Sequence, residues 1–339
     1  MITGLDYWIE SDSLTVCRVY GTGSLAQLPA GVGEMKITAL ADHTFAQYPS
    51  DEIAHHEIFR AVRSIRESAG DGSFLWHTGP VSDVGTPDEP LCGPKVEEIV
   101  LPPYLTRVGN YAFYGCRSLS RFTFPEQRMQ MGSGAFVDCG RIKQLIFPVS
   151  EETFDHPQMR EVLGDMNLET EVIAKDRGRE VMALYFPGYY EDSVENTPAR
   201  IFIMHYEGTG FKYRQCFRNG KIDFDQYDSL FYEASVQETP ETAIRLAMDR
   251  LTFPVCLGTA AREKYLAFVL REYRTLAPII LSEERMSMLE IICGAEDLTS
   301  NMLDYFLETA RRMRDAKSVG FLQETRRKRF PPKKKEYTF

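Results

Sequence analysis

Residues 96–118 read VEEIVLPPYLTRVGNYAFYGCRS, residues 119–141 read LSRFTFPEQRMQMGSGAFVDCGR, and residues 142–148 open a third copy with IKQLIFP. The copies align at a step of 23 residues. Val96, Leu119 and Ile142 coincide, as do Ile99, Phe122 and Leu145. Leu101-Pro102 answers Phe124-Pro125 and Phe147-Pro148; Val108-Gly109 answers Met131-Gly132; Ala112-Phe113 answers Ala135-Phe136; Cys116 answers Cys139. A fixed period of this size predicts stacked supersecondary units, each too small to bury its own apolar face.

Each copy reads as a short strand, a proline that ends it, an irregular crossing, then Ala-Phe and a tight turn to Cys. Pro102 and Pro125 follow the strand, where no ladder N–H is required. Gly115 and Asp138 stand just before the Cys, where the turn favours a residue that tolerates positive φ. Phe113 and Phe136 are expected to stack from one copy to the next as a core ladder. An imperfect earlier copy runs through Leu28-Pro29, Ile37, Leu40 and Thr44-Phe45, with five extra residues between its Pro and its Phe. Residues 14–20 are expected to form the first edge of the stack. Between the copies, residues 51–68 place Ile58, Val62 and Ile65 at helical spacing, with Gly70-Asp71-Gly72 as the stop. Residues 77–95, rich in proline, read as a loop.

The strand ending in Pro, followed by Val-Gly-x-x-Ala-Phe-x-x-Cys-x-x-Leu, resembles the BspA-like leucine-rich repeat family over residues 14–148. The resemblance implies a curved solenoid that recognises proteins and does not catalyse. Members of that family are mostly surface or secreted adhesion proteins of bacteria and some protists, whereas residues 1–6 here carry no secretory signal. The outward strand positions are the expected contact face: Glu97, Glu98 and Val100, then Ser120, Arg121 and Thr123, then Lys143, Gln144 and Ile146.

With 43% hydrophobic and 26% charged residues, the composition is that of a soluble globular protein. No apolar run approaches the ~20 residues of a membrane span. The seven cysteines are odd in number, dispersed and without a C-x-x-C pair, which points to free thiols in a reducing, cytoplasmic setting. The net charge of −10 hides a basic end, Arg326, Arg327, Lys328 and Arg329 followed by Lys333, Lys334 and Lys335. Three readings of that end stay open: a solvated helix terminus, a dock for an acidic partner or for the acidic body, and a nucleic-acid contact. The acidic body disfavours nonspecific nucleic-acid binding.

Residues 180–218 read as β-rich, with residues 200–206 and 211–217 joined as a hairpin through Gly208-Thr209-Gly210. The best enzyme candidates fall here: His205, Glu207, Arg214, Cys216, Asp223, Asp225 and Asp228. His205 and Cys216 would face each other across that hairpin. The bland readings are a turn for Gly-x-Gly, a helix cap and surface carboxylates for residues 223–228, and surface placement for His55-His56. From about 225 onward the chain turns helical. Thr239-Pro240 reads as an N-cap with Pro at the first helical position, and Thr259 and Ser282 open further helices. Asp228, Leu230, Phe231, Ala234 and Ala243 recur 76 residues later as Asp304, Phe306, Leu307, Ala310 and Val319. This echo, with residues 289–298, resembles degenerate ankyrin repeats, which again implies binding.

The expected protein is α+β: a short leucine-rich-repeat solenoid (1–150), a β-rich middle segment (151–222), an ankyrin-like α-helical repeat module (223–329) and a basic tail (330–339). It is expected to be a cytoplasmic, bacterial, non-enzymatic scaffold for another protein. No catalytic, cofactor or metal residues are expected, nor any membrane or nucleic-acid partner. The alternatives are an enzyme sited in 180–236 and a nucleic-acid adaptor acting through the basic tail.

Overall fold

Buried Leu5 and Tyr7 on β1 (Ile2–Glu10) and Leu14, Val16 and Val19 on β2 (Ser13–Gly21) make an antiparallel hairpin that pairs from Ile2↔Gly21 to Glu10↔Ser13. The structure is a computed structural model that describes residues 1–68, 74–85, 88–196 and 201–331. It divides into two compact units, Met1–Val181 with Asn219–Lys221, and Met182–Arg218 with Ile222–Phe339.

In the first unit, β3 (Leu25–Gln27), β4 (Gly31–Val32) and β5 (Met35–Leu40) make up the imperfect copy. β4 folds back on β5, Gly31↔Lys36 and Val32↔Met35, and this small hairpin takes up the extra residues. β5 runs parallel to β2. Residues 14–20 therefore begin the parallel stack, but they are not a sheet edge, because β1 lies on their other side.

The helix expected over residues 51–68 is replaced by a short 3-10 turn, Asp51–His55, and a strand, β6 (Phe59–Ser68). Residues 59–62 pair with residues 4–7 of β1, which sets Arg60 opposite Asp6. The guanidinium grips the carboxylate at 2.6 and 2.8 Å, and Tyr20 donates its hydroxyl to the same carboxylate at 2.7 Å. A buried bidentate pair of this kind fixes strand register and outweighs a local helical period. The proposed stop at Gly70-Asp71-Gly72 lies outside the described residues. Residues 77–80, expected in a loop, belong to β7 (Phe74–Pro80), which pairs antiparallel with β6.

The copies at 96–148 build β8 (Glu98–Val100), β9 (Arg107–Val108), β10 (Arg121–Thr123), β11 (Gln130–Met131) and β12 (Gln144–Pro148). After α1 (Met159–Gly164) comes β13 (Thr170–Asp176). Two sheets result. One runs β11-β9-β5-β2-β1-β6-β7, and the other contains β13-β12-β10-β8-β3 as neighbouring parallel strands. β13 lies beyond residue 150 yet continues the same ladder, Leu145↔Val172.

Equivalent residues meet turn after turn. Phe45, Phe113 and Phe136 form a ladder with ring centroids 5.7 and 5.4 Å apart, and Phe124 stacks on Phe147 at 4.3 Å. Gly115 (φ 74°) and Asp138 (φ 63°) take the left-handed conformation their position requires.

His156 sits beneath Phe124 and Phe147, 2% exposed, with Nε2 at 2.8 Å from the Pro125 carbonyl and Nδ1 accepting from the Gln158 amide at 3.2 Å. Burial holds its pKa below the ordinary 6.5. The unfolded chain therefore binds a proton more readily than the folded one just below that pH. Stability is fully present above about 6.5 and falls as pH drops from there toward the folded value, at up to about 1.4 kcal/mol per pH unit. The urea midpoint of the first unit should fall between pH 7.5 and 5, and His156→Gln should flatten the slope over that window. An unchanged slope in the variant would assign the acid sensitivity elsewhere.

β14 (Arg179–Phe186) carries the chain from the first unit into the second. There β15 (Tyr190–Asn196) and β16 (Ile201–Glu207) form the hairpin. Residues 211–217 are not its second strand: Gly208-Thr209-Gly210 leads into α2 (Gly210–Arg214) instead. Helices follow: α3 (Phe224–Ser229), α4 (Phe231–Gln237), α5 (Pro240–Thr252), α6 (Thr259–Arg271), α7 (Tyr273–Ser282), α8 (Met286–Gly294), α9 (Ser300–Arg312) and α10 (Ala316–Arg329). Thr239 caps α5 by accepting from the Thr242 amide at 3.2 Å. Ser282 ends α7 rather than opening α8, and bonds back to the Ile279 carbonyl.

The 76-residue echo has a physical counterpart. Asp228 pairs with Arg250 at 2.7 Å, and their counterparts Asp304 and Arg326 pair at 2.6 Å. The first pair is buried and also receives the Tyr265 hydroxyl at 2.8 Å; the second lies in the open.

Candidate interaction surface

On the parallel sheet of the first unit, Ala26, Ile99, Phe122, Leu145 and Val172 form the inward ladder, all buried. Outward, Leu25, Glu98, Arg121, Gln144 and Glu171 make a second ladder in register. Its members are tied together. Arg121 approaches the Glu98 carboxylate at 3.7 Å and donates to Gln144 Oε1 at 2.8 Å, while Gln144 Nε2 donates to Glu171 at 2.6 Å. A hydrogen-bonded side-chain row on a regular sheet is held in place before any partner arrives.

Of the nine expected contact residues, Glu97, Arg121 and Lys143 are exposed; Glu98, Val100, Ser120, Thr123 and Gln144 are half-buried. Ile146 is buried, in line with Ile173 on the next strand, so it packs within the sheet's own surface rather than projecting from it.

On the turn side, His43, Tyr111 and Tyr114 cluster at the surface. His43 stacks on Tyr111 at 5.4 Å, and Tyr111 meets Tyr114 edge-on at 6.2 Å. His43 and Tyr111 both hold positive φ, 58° and 52°. Below them an Asx ladder links the turns: Asp42 accepts from the Asn110 amide at 2.6 Å, and Asn110 Oδ1 accepts from the Ser133 amide at 2.9 Å. The sequence carried a signal for this cluster. Tyr111 and Tyr114 flank Ala112-Phe113 at the positions where the next copy has Gly134 and Val137.

The enzyme candidates of the second unit are scattered. His205 is exposed on β16, opposite Asp192 of β15. Cys216 is 1% exposed, with Sγ 3.5 Å from the Lys212 carbonyl, and burial pushes its thiol up to about 12. A thiol so held is not a nucleophile near neutral pH. Asp223 caps α3 by accepting from the Gln226 amide at 3.1 Å and pairs with Arg218 at 2.6 Å, whereas Asp228 is bound to Arg250. Arg214 is buried; it donates to the Pro187 and Gly210 carbonyls and lies 5.1 Å from the Tyr189 ring centre. Glu207 and Asp225 are exposed. At the Gly208-Thr209-Gly210 junction, Glu238 accepts from both the amide and the hydroxyl of Thr209 at 2.6 Å. A carboxylate on these donors leaves no cradle for a phosphate. His55 and His56 are both exposed, and His56 stacks on Trp8 at 4.1 Å. Among the described residues no group of three His, Cys, Asp or Glu side chains is placed to hold a metal ion.

The basic end is partly consumed by the fold. Arg326 pairs with Asp304, Arg327 and Lys328 share Glu324, and Arg329 donates to the carbonyls of Cys293 and Ala295. Lys333, Lys334 and Lys335 lie outside the described residues. No helix among the described residues is long and apolar enough to cross a membrane.

Residues 90–161 match the family described as BspA type Leucine rich repeat region (6 copies), a span that takes in β8 to β12 and the start of α1. Among solved structures, the chain is similar to the crystal structure of a T. pallidum leucine rich repeat protein. That likeness has 19% sequence identity, covers 44% of this chain and 70% of that chain, and has a TM-score of 0.19. No curated protein matches the chain.

Proposed function

We propose that the chain is a non-enzymatic scaffold that holds another protein against the outer strand face of its repeat unit. The supporting observation is the in-register row Glu98–Arg121–Gln144–Glu171, tied by side-chain hydrogen bonds and flanked by exposed Glu97 and Lys143. A rigid polar row whose exposed charge is Arg121 beside half-buried Glu98, with Glu171 buried at its end, favours a partner with complementary polar groups and loses little side-chain entropy on binding. Leucine-rich repeats commonly serve in protein recognition, which agrees with this reading. We read the helix pairs of the second unit as a degenerate ankyrin-like stack; the recurrence of Asp228–Arg250 as Asp304–Arg326 supports it. Seven cysteines without a disulfide fit a reducing, cytoplasmic setting.

The test is charge reversal at Arg121 and Lys143, with quantitative affinity enrichment from the native cell. Arg121→Glu with Lys143→Glu should reduce capture of the specific partner at least tenfold. Because both side chains stand at the surface, the unfolding temperature should shift by less than about 5 °C. The same proteins captured in the same amounts would remove this face from consideration.

A further inference from the structure

At the Ala-Phe turns, the hydrogen bonds that stack one turn on the next run from the earlier turn to the later one. The amides of His43 and Phe45 donate to the carbonyls of Asn110 and Ala112 at 3.1 and 2.7 Å. The amides of Tyr111, Phe113 and Gly115 donate to those of Ser133, Ala135 and Val137 at 3.0, 3.1 and 3.1 Å. One repeat further on, the corresponding donors are Gly134, Phe136 and Asp138, and they have no partner among the described residues. There the next turn of the chain crosses from β12 to β13 through α1 rather than through another Ala-Phe turn.

These three residues line a cavity of about 680 Å³, walled on the other side by Val162, Met166 and Leu168. Phe136 is only half-buried there, although its predecessors Phe45 and Phe113 are fully covered. Of the three carboxylates on the wall, Asp138 is held by Arg117 at 2.7 Å and Glu161 by Arg128 at 3.2 Å, and Asp165 is exposed. The groove thus continues the turn-to-turn interface already seen twice, with an aromatic floor, three amide donors at alternate residues and the exposed carboxylate of Asp165 at its rim.

We propose that this open turn docks an extended segment of a partner protein that carries an aromatic side chain and a basic residue to meet Asp165. The segment's carbonyls accept from Gly134, Phe136 and Asp138, and its ring lies on Phe136 as Phe136 lies on Phe113. This is strand addition adapted to the edge of a solenoid: main-chain bonds supply affinity, and the ring and charges supply selectivity. The site is separate from the strand face and stands or falls independently of it.

The probe is a capped peptide, Gly-Asn-Tyr-Ala-Phe-Tyr-Gly-Ser-Arg, which copies residues 109–117 with serine in place of the cysteine. Added to the full chain, it should slow hydrogen exchange at the amides of residues 134, 136 and 138. Replacing its Phe with Ser, or its Arg with Glu, should weaken binding at least tenfold by fluorescence anisotropy. Phe136→Ala in the full chain should do the same, while Lys143→Glu on the strand face should leave peptide binding unchanged. Absence of slowed exchange at these amides, slowing confined to another surface, or equal affinity for the three peptides would overturn the proposal. So would self-association of the chain that Phe136→Ala abolishes, since a second copy would then be the occupant.

Discussion

Replacing Arg250 with alanine is expected to destabilise the second unit by about 3–5 kcal/mol, the range for a buried ion pair that loses one partner. The Arg250 side chain is fully buried, and that of Asp228 is 6% exposed. The guanidinium meets both carboxylate oxygens, at 2.7 and 2.8 Å, and donates to the Val255 carbonyl at 3.0 Å. Truncation leaves Asp228 charged in an apolar setting with only the Tyr265 hydroxyl beside it. Helical circular dichroism during urea unfolding reads this unit, where α2 to α10 lie. Substituting all three members, as Asp228→Leu, Arg250→Met and Tyr265→Phe, should restore part of the loss, because the carboxylate and the phenol are removed with the guanidinium and the Val255 carbonyl is the acceptor that loses its donor. The echoing pair provides a control. Asp304 and Arg326 have side chains 42% and 48% exposed, so Arg326→Ala should cost no more than about 1 kcal/mol. Equal losses at the two sites would show that burial does not decide the matter.

The second large effect belongs to the first unit. Gly109→Ala should cost about 3 kcal/mol, at the upper end for overpacking, because the clash is with main chain. A Cβ there would lie 2.4 Å from the Asp42 amide nitrogen and 2.5 Å from the Ala41 carbonyl carbon. Gly132, one repeat later, would meet the Gly109 carbonyl carbon at 2.3 Å. Neither contact can be relieved by rotating a side chain, so consecutive turns would have to separate. Gly132→Ala should cost less, since it follows β11, the edge strand of its sheet, which can shift outward. Both tryptophans, Trp8 and Trp76, lie in the first unit, so their fluorescence reports its unfolding directly. A wild-type urea midpoint for Gly109→Ala would contradict the close stacking.

The 23-residue repeat made the strands, the proline stops, the Phe ladder and the left-handed positions at Gly115 and Asp138 legible, since identical residues at a fixed step must meet identical neighbours. The short-range helix signal at Thr239-Pro240 was legible because a cap acts within one turn of chain, whereas Thr259 is the first residue of α6 after an N-cap at Gly258 that has no side-chain bond. The outward strand positions were readable as a row, but not the mutual pairing of Glu98, Arg121, Gln144 and Glu171, nor the burial of Ile146.

What only the tertiary structure decided depends on partners far away along the chain. Residues 59–68 carry a helical period, yet they form a strand because Asp6 waits 54 residues earlier for Arg60. β16 could have paired forward or backward; it pairs backward with β15, and the residues after it coil into α2. The same holds for the unpaired amides of Gly134, Phe136 and Asp138. A repeat announces that another Ala-Phe turn should follow, whereas only the folded chain reveals that α1 takes its place between β12 and β13 and leaves these amides without a partner among the described residues.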